Sequence, residues 1–189
     1  MRPRAPLFTS LLILANFVAY NLELGAGGQA ACETYGLVPA RFMRSGEIGP
    51  IFSSLFLHAP GDITHIGANM LFLAVFGVLV ERTLGHFRFL GLYLAAGVLG
   101  ALMHVVVNPA ATDPLVGASG AIFGVLAVVG VLHPRLLGFV AAFAAINVWH
   151  AFFGGAGSVS FGAHIGGFCA GFLVVVLLRA TNSEALEAA

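Results

Sequence analysis

The stretch GASGAIFG at residues 117–124 places one hydroxyl, that of Ser119, at the head of an apolar run that continues without a charge to Leu132. Such a run is typical of a helix inside a membrane. Gly120 and Gly124 lie four residues apart, so they share one face of that helix and leave it without side chains. This face allows a second helix to approach backbone to backbone, with the serine at its edge.

A second stretch, AHIGGFCAG at residues 163–171, carries the complementary pattern. Gly167 and Gly171 again lie four residues apart, on the side of the helix that carries His164. Two glycine faces of this kind pack closely in membranes. The pair of stretches therefore predicts that Ser119 and His164 come within reach of each other.

The composition of the whole chain is that of a membrane protein. Of its 189 residues, 59% are hydrophobic and 8% are charged, against ~45–50% and ~25% in soluble domains. Eight arginines, without any lysine, balance eight acidic residues to a formal net charge of zero, so we expect no nucleic-acid partner. Cys32 and Cys169 are too few for a metal or disulfide framework, and we predict no metal site and no cofactor.

The apolar residues fall into separate runs. A helical span needs about 20 mainly apolar residues. The chain offers six candidates, near residues 7–22, 64–80, 88–107, 117–132, 136–153 and 161–178. We therefore predict an all-α polytopic membrane protein, with six transmembrane helices around a polar, outward-opening cavity, folded as a single membrane domain over residues 1–189. The external loop 23–63 contains an apolar segment, 51–57, that predicts a short interfacial helix.

The charges between the runs predict the orientation of the chain. An even number of spans puts both termini on one side of the membrane. That side would carry Arg2, Arg4, Arg82, Arg88, Arg135 and Arg179, six arginines, against Arg41 and Arg44, two, on the other. By the positive-inside rule both termini are cytoplasmic. The competing interpretation of the first span as a secretory signal is disfavoured, because Gln29 stands where a cleavage site needs a small residue.

Polar side chains inside the spans indicate function, because burying them in lipid is costly. His65, Asn69, Ser119 and His164 are the ones we single out. At about 1.5 Å per residue, each lies roughly 18–24 Å from the cytoplasmic end of its span, in a hydrocarbon core about 30 Å thick. Three different helices thus bring these side chains to the same depth.

This set of side chains suits acyl transfer. Ser119 supplies a hydroxyl nucleophile and His164 a base. The free N–H groups at the start of a helix can receive a developing oxyanion. His65 and Asn69, four residues apart on one helix face, can add two more donors. Phe123, one turn along from the serine, can stack beneath the imidazole.

Together, these motifs resemble those of the rhomboid family of intramembrane serine proteases. The matching stretches are GASG at 117–120 for GxSG, HIGAN at 65–69 for HxxxN, and AHIGGFCAG at 163–171 for AHxxGxxxG. The resemblance implies that the cavity is an active site, in which Ser119 and His164 form a catalytic dyad without an acidic third member. The implied activity is hydrolysis of peptide bonds in or near transmembrane segments.

The resemblance also implies roles for further residues. His65, Asn69 and the backbone N–H of Ser119 would form the oxyanion hole. The supporting residues would be Gly117, Gly120, Phe123, Gly167 and Gly171. Two features depart from the family pattern. Phe123 stands where tyrosine is common, and the external loop lacks the Trp-Arg pair of many members.

The expected partners follow from the same resemblance, and the expected location follows from composition. The expected partners are transmembrane protein substrates, each with a single span cleaved near its outer end, and the lipid bilayer. The fifth span and residues 154–157 would form a movable gate. Small size and arginine without lysine favour a bacterial inner membrane. Several oligomeric states and physiological substrates are compatible with this sequence.

Other functions fit less well. A catalytically silent relative that binds membrane helices is the nearest alternative, and intact Ser119 and His164 argue against it. A small transporter with a histidine proton path is disfavoured, because we expect no acidic residue inside a span. A metalloprotease would need the motif H-E-x-x-H, which the sequence lacks. An aspartyl enzyme would need two intramembrane aspartates, and we expect none, since both aspartates lie in predicted loops.

Overall fold

The computed structural model describes residues 5–153 and 160–181. In these two ranges the regular elements are helical, apart from one isolated bridge between Leu37 and Leu115. The helices are α1 Leu7–Gly25, α2 Gln29–Tyr35, α3 Pro39–Ser45, α4 Gly49–Ser53, α5 Ile63–Leu84, α6 His86–Val107, α7 Ser119–Leu132, α8 Leu137–Phe153 and α9 Phe161–Thr181. The predicted all-α class is confirmed. The predicted gate at 154–157, like Arg2 and Arg4, lies outside the described residues.

The helices α1, α5, α6 and α9 are each long and apolar enough to cross a membrane. The helix α7 has 14 residues, which is short of a full span. It meets the segment Pro134–His150 at a break where the chain bends by 117°. The chain is therefore an integral membrane protein by its helices, whereas six separate spans and the outward-opening cavity stay predictions.

Two helices are longer than the spans predicted within them. The helices α1 and α5 continue past residues 22 and 80, to Gly25 and Leu84. As a result Glu23 and Glu81, which we expected outside the spans, lie in the membrane helices and are buried. Hydrogen bonds to their carboxylates make this burial tolerable. The external loop also differs from the prediction, since it contains three short helices, α2 to α4, where we expected one.

The helix α5 begins at a cap and is irregular in its middle. The carboxylate of Asp62 accepts hydrogen bonds from the backbone N–H groups of Thr64 and His65, which satisfies two otherwise free donors. The segment Leu73–Gly77 is π-helical. Gly85, at φ 84°, then separates α5 from α6 in a conformation that favours glycine.

The centre of the molecule is α7, which α6 and α9 flank. All of its residues from Gly120 to Gly130 are buried. Glycines allow this close packing, because a Cβ on Gly124 would overlap the side chain of Ala96 on α6. A helix so fully surrounded by protein fixes the position of the residue at its start, Ser119.

A buried carboxylate ties the first three long helices together. Glu81 at the end of α5 accepts hydrogen bonds from the backbone N–H groups of Phe8 and Thr9, both at 2.8 Å, in the first turn of α1. It also accepts a bond from the Thr9 hydroxyl at 2.6 Å. The ring Nδ1 of His86, at the start of α6, lies 2.6 Å from the same carboxylate. Glu81 thus acts as a structural joint at one end of the bundle.

Candidate active site

Ser119 and His164 are in direct contact. Ser119 is the first residue of α7, and His164 lies in the first turn of α9. The ring Nε2 of His164 is 2.8 Å from the serine Oγ. The histidine is 7% exposed and the serine is half-buried. The predicted approach of a hydroxyl to an imidazole is therefore present in the fold.

Glycines create this contact. A Cβ on Gly167 would overlap the carbonyl oxygen of Gly120, and one on Gly171 would overlap that of Gly124. The obstacle in both cases is backbone, which does not move aside as a flexible side chain can. The two glycine faces predicted from the sequence are thus the surfaces on which α7 and α9 meet, next to His164.

Aromatic rings hold the plane of the imidazole. Phe123 stacks on the ring of His164 with centroids 4.2 Å apart and planes at 9°. Phe143 on α8 also stacks on Phe123, with centroids 5.3 Å apart. The ring of Phe161 meets the imidazole edge-on at 6.1 Å. The stacking expected for Phe123 is therefore present without a tyrosine hydroxyl.

Asn147 is a member of this cluster that the sequence analysis did not single out. It lies on α8, is 9% exposed, and its Oδ1 is 2.8 Å from Nδ1 of His164. Its Nδ2 donates to the carbonyl oxygen of Phe143 at 2.9 Å. The sequence does contain an indication of this role, because Asn147 is a polar residue inside the predicted fifth span, and such residues are rare in lipid.

His65 lies across Gly117 from the serine. Gly117 has φ 125°, and a Cβ on it would be 3.0 Å from the His65 Nε2 and 3.7 Å from the Ser119 Oγ. The Nδ1 of His65 accepts the backbone N–H of Ala59 at 3.2 Å. Because Nδ1 is an acceptor, the neutral ring carries its proton on Nε2, the nitrogen that faces the serine.

Asn69 is placed one turn beyond His65, with one amide proton already engaged. Its Nδ2 donates to the carbonyl oxygen of His65 at 2.8 Å. An amide group has two protons, so one donor is left for another acceptor. That Asn69 aims this second donor at the same point as His65 stays a prediction.

The loop before α5 supports His65 from outside. His58 is fully buried, and its ring packs edge-on against that of His65 at 5.2 Å. Burial lowers the pKa of His58 to about 4, and nearby His65 contributes less. The backbone N–H of His58 donates to Glu23 at 2.9 Å, and its carbonyl accepts the Cys32 thiol at 3.6 Å. Burial raises the pKa of that thiol to about 12, so Cys32 stays a neutral donor.

Fold and site together define a class: a helical membrane protein with a serine–histidine pair enclosed between helices. Comparison with known proteins gives the family. Residues 45–181 match the Rhomboid domain. The chain belongs to the rhomboid family.

Several named proteins are similar to this chain. It is 37% identical over 124 residues to rhomboid protease GluP of Bacillus subtilis, covering 64% of this chain and 24% of that protein. It is 31% identical over 153 residues to RHOMBOID-like protein 5 of Arabidopsis thaliana, covering 76% and 49%. It is 36% identical over 140 residues to the mitochondrial Rhomboid protein 1 of Saccharomyces cerevisiae, covering 65% and 40%. The chain thus spans about a quarter to a half of the length of these relatives.

Proposed function

We propose that this chain is an intramembrane serine endopeptidase that hydrolyses peptide bonds in or near the transmembrane segments of membrane proteins. The observation that carries the proposal is the 2.8 Å contact between the Ser119 Oγ and the His164 Nε2. Membership of the rhomboid family, which includes a relative named as a protease, supports it. Transmembrane protein substrates and the lipid bilayer are the partners that this function requires.

In the first chemical step, His164 takes the proton of the Ser119 hydroxyl as the oxygen attacks the scissile carbonyl carbon. The tetrahedral oxyanion that results is stabilised by donors around Gly117. These are the Nε2–H of His65, the second amide proton of Asn69 and the backbone N–H of Ser119, which belongs to the first turn of α7.

The second half of the reaction uses the same groups in reverse order. The imidazolium of His164 gives its proton to the leaving amine, which frees the new N-terminus and leaves an acyl-enzyme on Ser119. Water then attacks the ester while His164 acts again as the base. Its proton returns to the serine Oγ when the carboxylic acid product leaves.

The length of α7 supports a membrane arrangement that we include in the proposal. Its 14 residues reach about 21 Å of a core about 30 Å thick, which is compatible with a Ser119 below the outer surface that opens to an outward-facing cavity. In this arrangement α7 and α8 are separate spans, residues 1–189 form one domain with six spans, and both termini are cytoplasmic in a bacterial inner membrane. A substrate helix must unwind there, because its carbonyls are otherwise held in internal hydrogen bonds.

The test is cleavage of a reporter with one transmembrane span by the purified protein in liposomes. We expect wild type to cut the reporter and Ser119→Ala to leave it intact. Ser10→Ala is the matched control, because Ser10 bonds only its own helix at the Pro6 carbonyl and should cut as wild type does. Cleavage by Ser119→Ala would refute the proposed nucleophile, and binding without cleavage by wild type would favour the silent relative.

A further inference from the structure

The amide of Asn147 determines which nitrogen of His164 carries the proton. The carbonyl oxygen of Phe143 only accepts hydrogen bonds, so the amide end that contacts it at 2.9 Å is the NH₂ group. The other end of Asn147 is then the carbonyl oxygen, which also only accepts. Since this oxygen lies 2.8 Å from Nδ1 of His164, that nitrogen must be the donor.

The position of this proton determines how His164 interacts with Ser119. A neutral imidazole has one proton, and when it sits on Nδ1 the lone pair is on Nε2. Nε2 is the nitrogen 2.8 Å from the Ser119 Oγ. The hydrogen bonds therefore run in one direction, from the serine hydroxyl to His164, from His164 to Asn147, and from Asn147 to the backbone.

We propose that Asn147 is a positioning residue for His164, so that a Ser119–His164–Asn147 triad operates in place of a dyad. This inference rests on the proposed protease function. The side chain on α8 holds the imidazole in its basic tautomer and accepts a hydrogen bond from the imidazolium that forms during the reaction. The amide oxygen thus occupies the place that a carboxylate holds in triads with an acidic member.

Stacking on Phe123 does not select the tautomer of His164. The ring contact at 4.2 Å restrains the plane of the imidazole, but a flat apolar ring contacts both tautomers equally. Without the acceptor at Nδ1, the proton can move to Nε2 and point at the serine oxygen. In that tautomer His164 donates to Ser119 and cannot take its proton.

The kinetic test is Asn147→Leu in the whole chain, assayed in liposomes with the single-span reporter. Loss of one hydrogen bond to a group that becomes charged should lower kcat roughly tenfold to a hundredfold, with KM within about twofold of wild type. Asn147→Asp keeps an acceptor at the same place and should recover most of this loss. Asn21→Leu is the matched control, because Asn21 makes the same type of bond to its own helix, at the Phe17 carbonyl, far from His164.

A spectroscopic test is independent of cleavage. In the Ser119→Ala background, ¹⁵N spectra of labelled histidine should show His164 protonated on Nδ1, and Asn147→Leu should add a population protonated on Nε2. Wild-type kcat in Asn147→Leu, or an unchanged tautomer in its spectrum, would overturn the inference. If wild type cuts nothing, the proposed function fails, and the spectra still decide whether Asn147 orients His164.

Discussion

Two histidines lie near the serine, and the group at the Nδ1 of each ring gives them opposite tautomers. On the α9 side, the Nδ1 of His164 meets the Asn147 carbonyl oxygen at 2.8 Å and must donate. On the α5 side, the Nδ1 of His65 meets the Ala59 N–H at 3.2 Å and must accept. The nitrogen that faces Ser119 is therefore a lone pair on His164 and an N–H on His65.

This difference shows how one residue type can serve two roles in one site. The proposed base and the proposed oxyanion donor are chemically identical side chains. They differ in the group that contacts Nδ1, which is the acceptor oxygen of Asn147 for His164 and the donor N–H of Ala59 for His65. The Asn147 amide is held by the Phe143 carbonyl, and the Ala59 N–H is part of the backbone. The distinction is lost if either of these two contacts at Nδ1 is lost.

The largest expected effect is on kcat, and it differs between the proposed base, His164, and the proposed oxyanion donor, His65. His164→Ala should lower kcat by at least about 10⁴-fold, because the serine proton then has no acceptor. His65→Ala should lower kcat by roughly 10²–10³-fold, the usual loss for one oxyanion donor. Initial rates on the single-span reporter measure both. Equal losses in the two variants would refute the division of roles.

The next prediction concerns the close backbone contact between α7 and α9, which places His164 next to Ser119 and has no counterpart at His65. Gly167→Ala would press a methyl group onto the Gly120 carbonyl, forcing α7 and α9 apart at a cost of about 3 kcal/mol or more in unfolding free energy, with loss of cleavage. Gly67→Ala, on the helix of His65, has open space around it and should retain stability and activity. Thermal unfolding in detergent compares them, and similar behaviour of the two variants would contradict this packing.

Acid should lower the stability of the protein through His58, the buried histidine that packs against His65. Because burial lowers the pKa of His58 to about 4 from about 6.5 in the unfolded chain, the unfolded state binds more protons between these values. The contribution of His58 to the free energy of unfolding is therefore complete only above about pH 7, and it falls by about 2 kcal/mol as the pH drops from 7 to 5. Unfolding curves at each pH should show a flatter dependence in His58→Gln, and an equally steep one would exclude His58 as the cause.

The smallest effect concerns Asn69. One of its amide protons is bonded to the His65 carbonyl, so we expect Asn69→Ala to lower kcat only about tenfold, less than a fully committed oxyanion donor. The rate on the same reporter tests this. A variant with full activity would remove Asn69 from the oxyanion hole.

The sequence predicted the contact between Ser119 and His164 because both residues lie in glycine-rich stretches, and glycine spacing is a local property. The depth of each polar residue also follows from counting along a helix. Asn147 could have been noticed on the same grounds, as a polar residue in an apolar span. Its contact with Nδ1 of His164 could not have been predicted, because the rotation of α8 depends on packing against Phe123 through Phe143.

The boundaries were harder to predict for a physical reason. Composition places charged residues outside spans, yet Glu81 is buried because donors from α1 and α6 satisfy it. These donors are distant in sequence. The three short helices of the external loop likewise depend on local turns, such as that at Gly46 with φ 67°, which apolar periodicity does not reveal.

We propose above all that Ser119 is a nucleophile made reactive by His164. The most direct measurement is reaction of the purified protein with a fluorophosphonate, followed by mass spectrometry to locate the adduct. We predict one phosphonylated residue, Ser119, in wild type, and no adduct in His164→Ala. An adduct at another serine, or equal labelling of Ser119 without His164, would contradict the account.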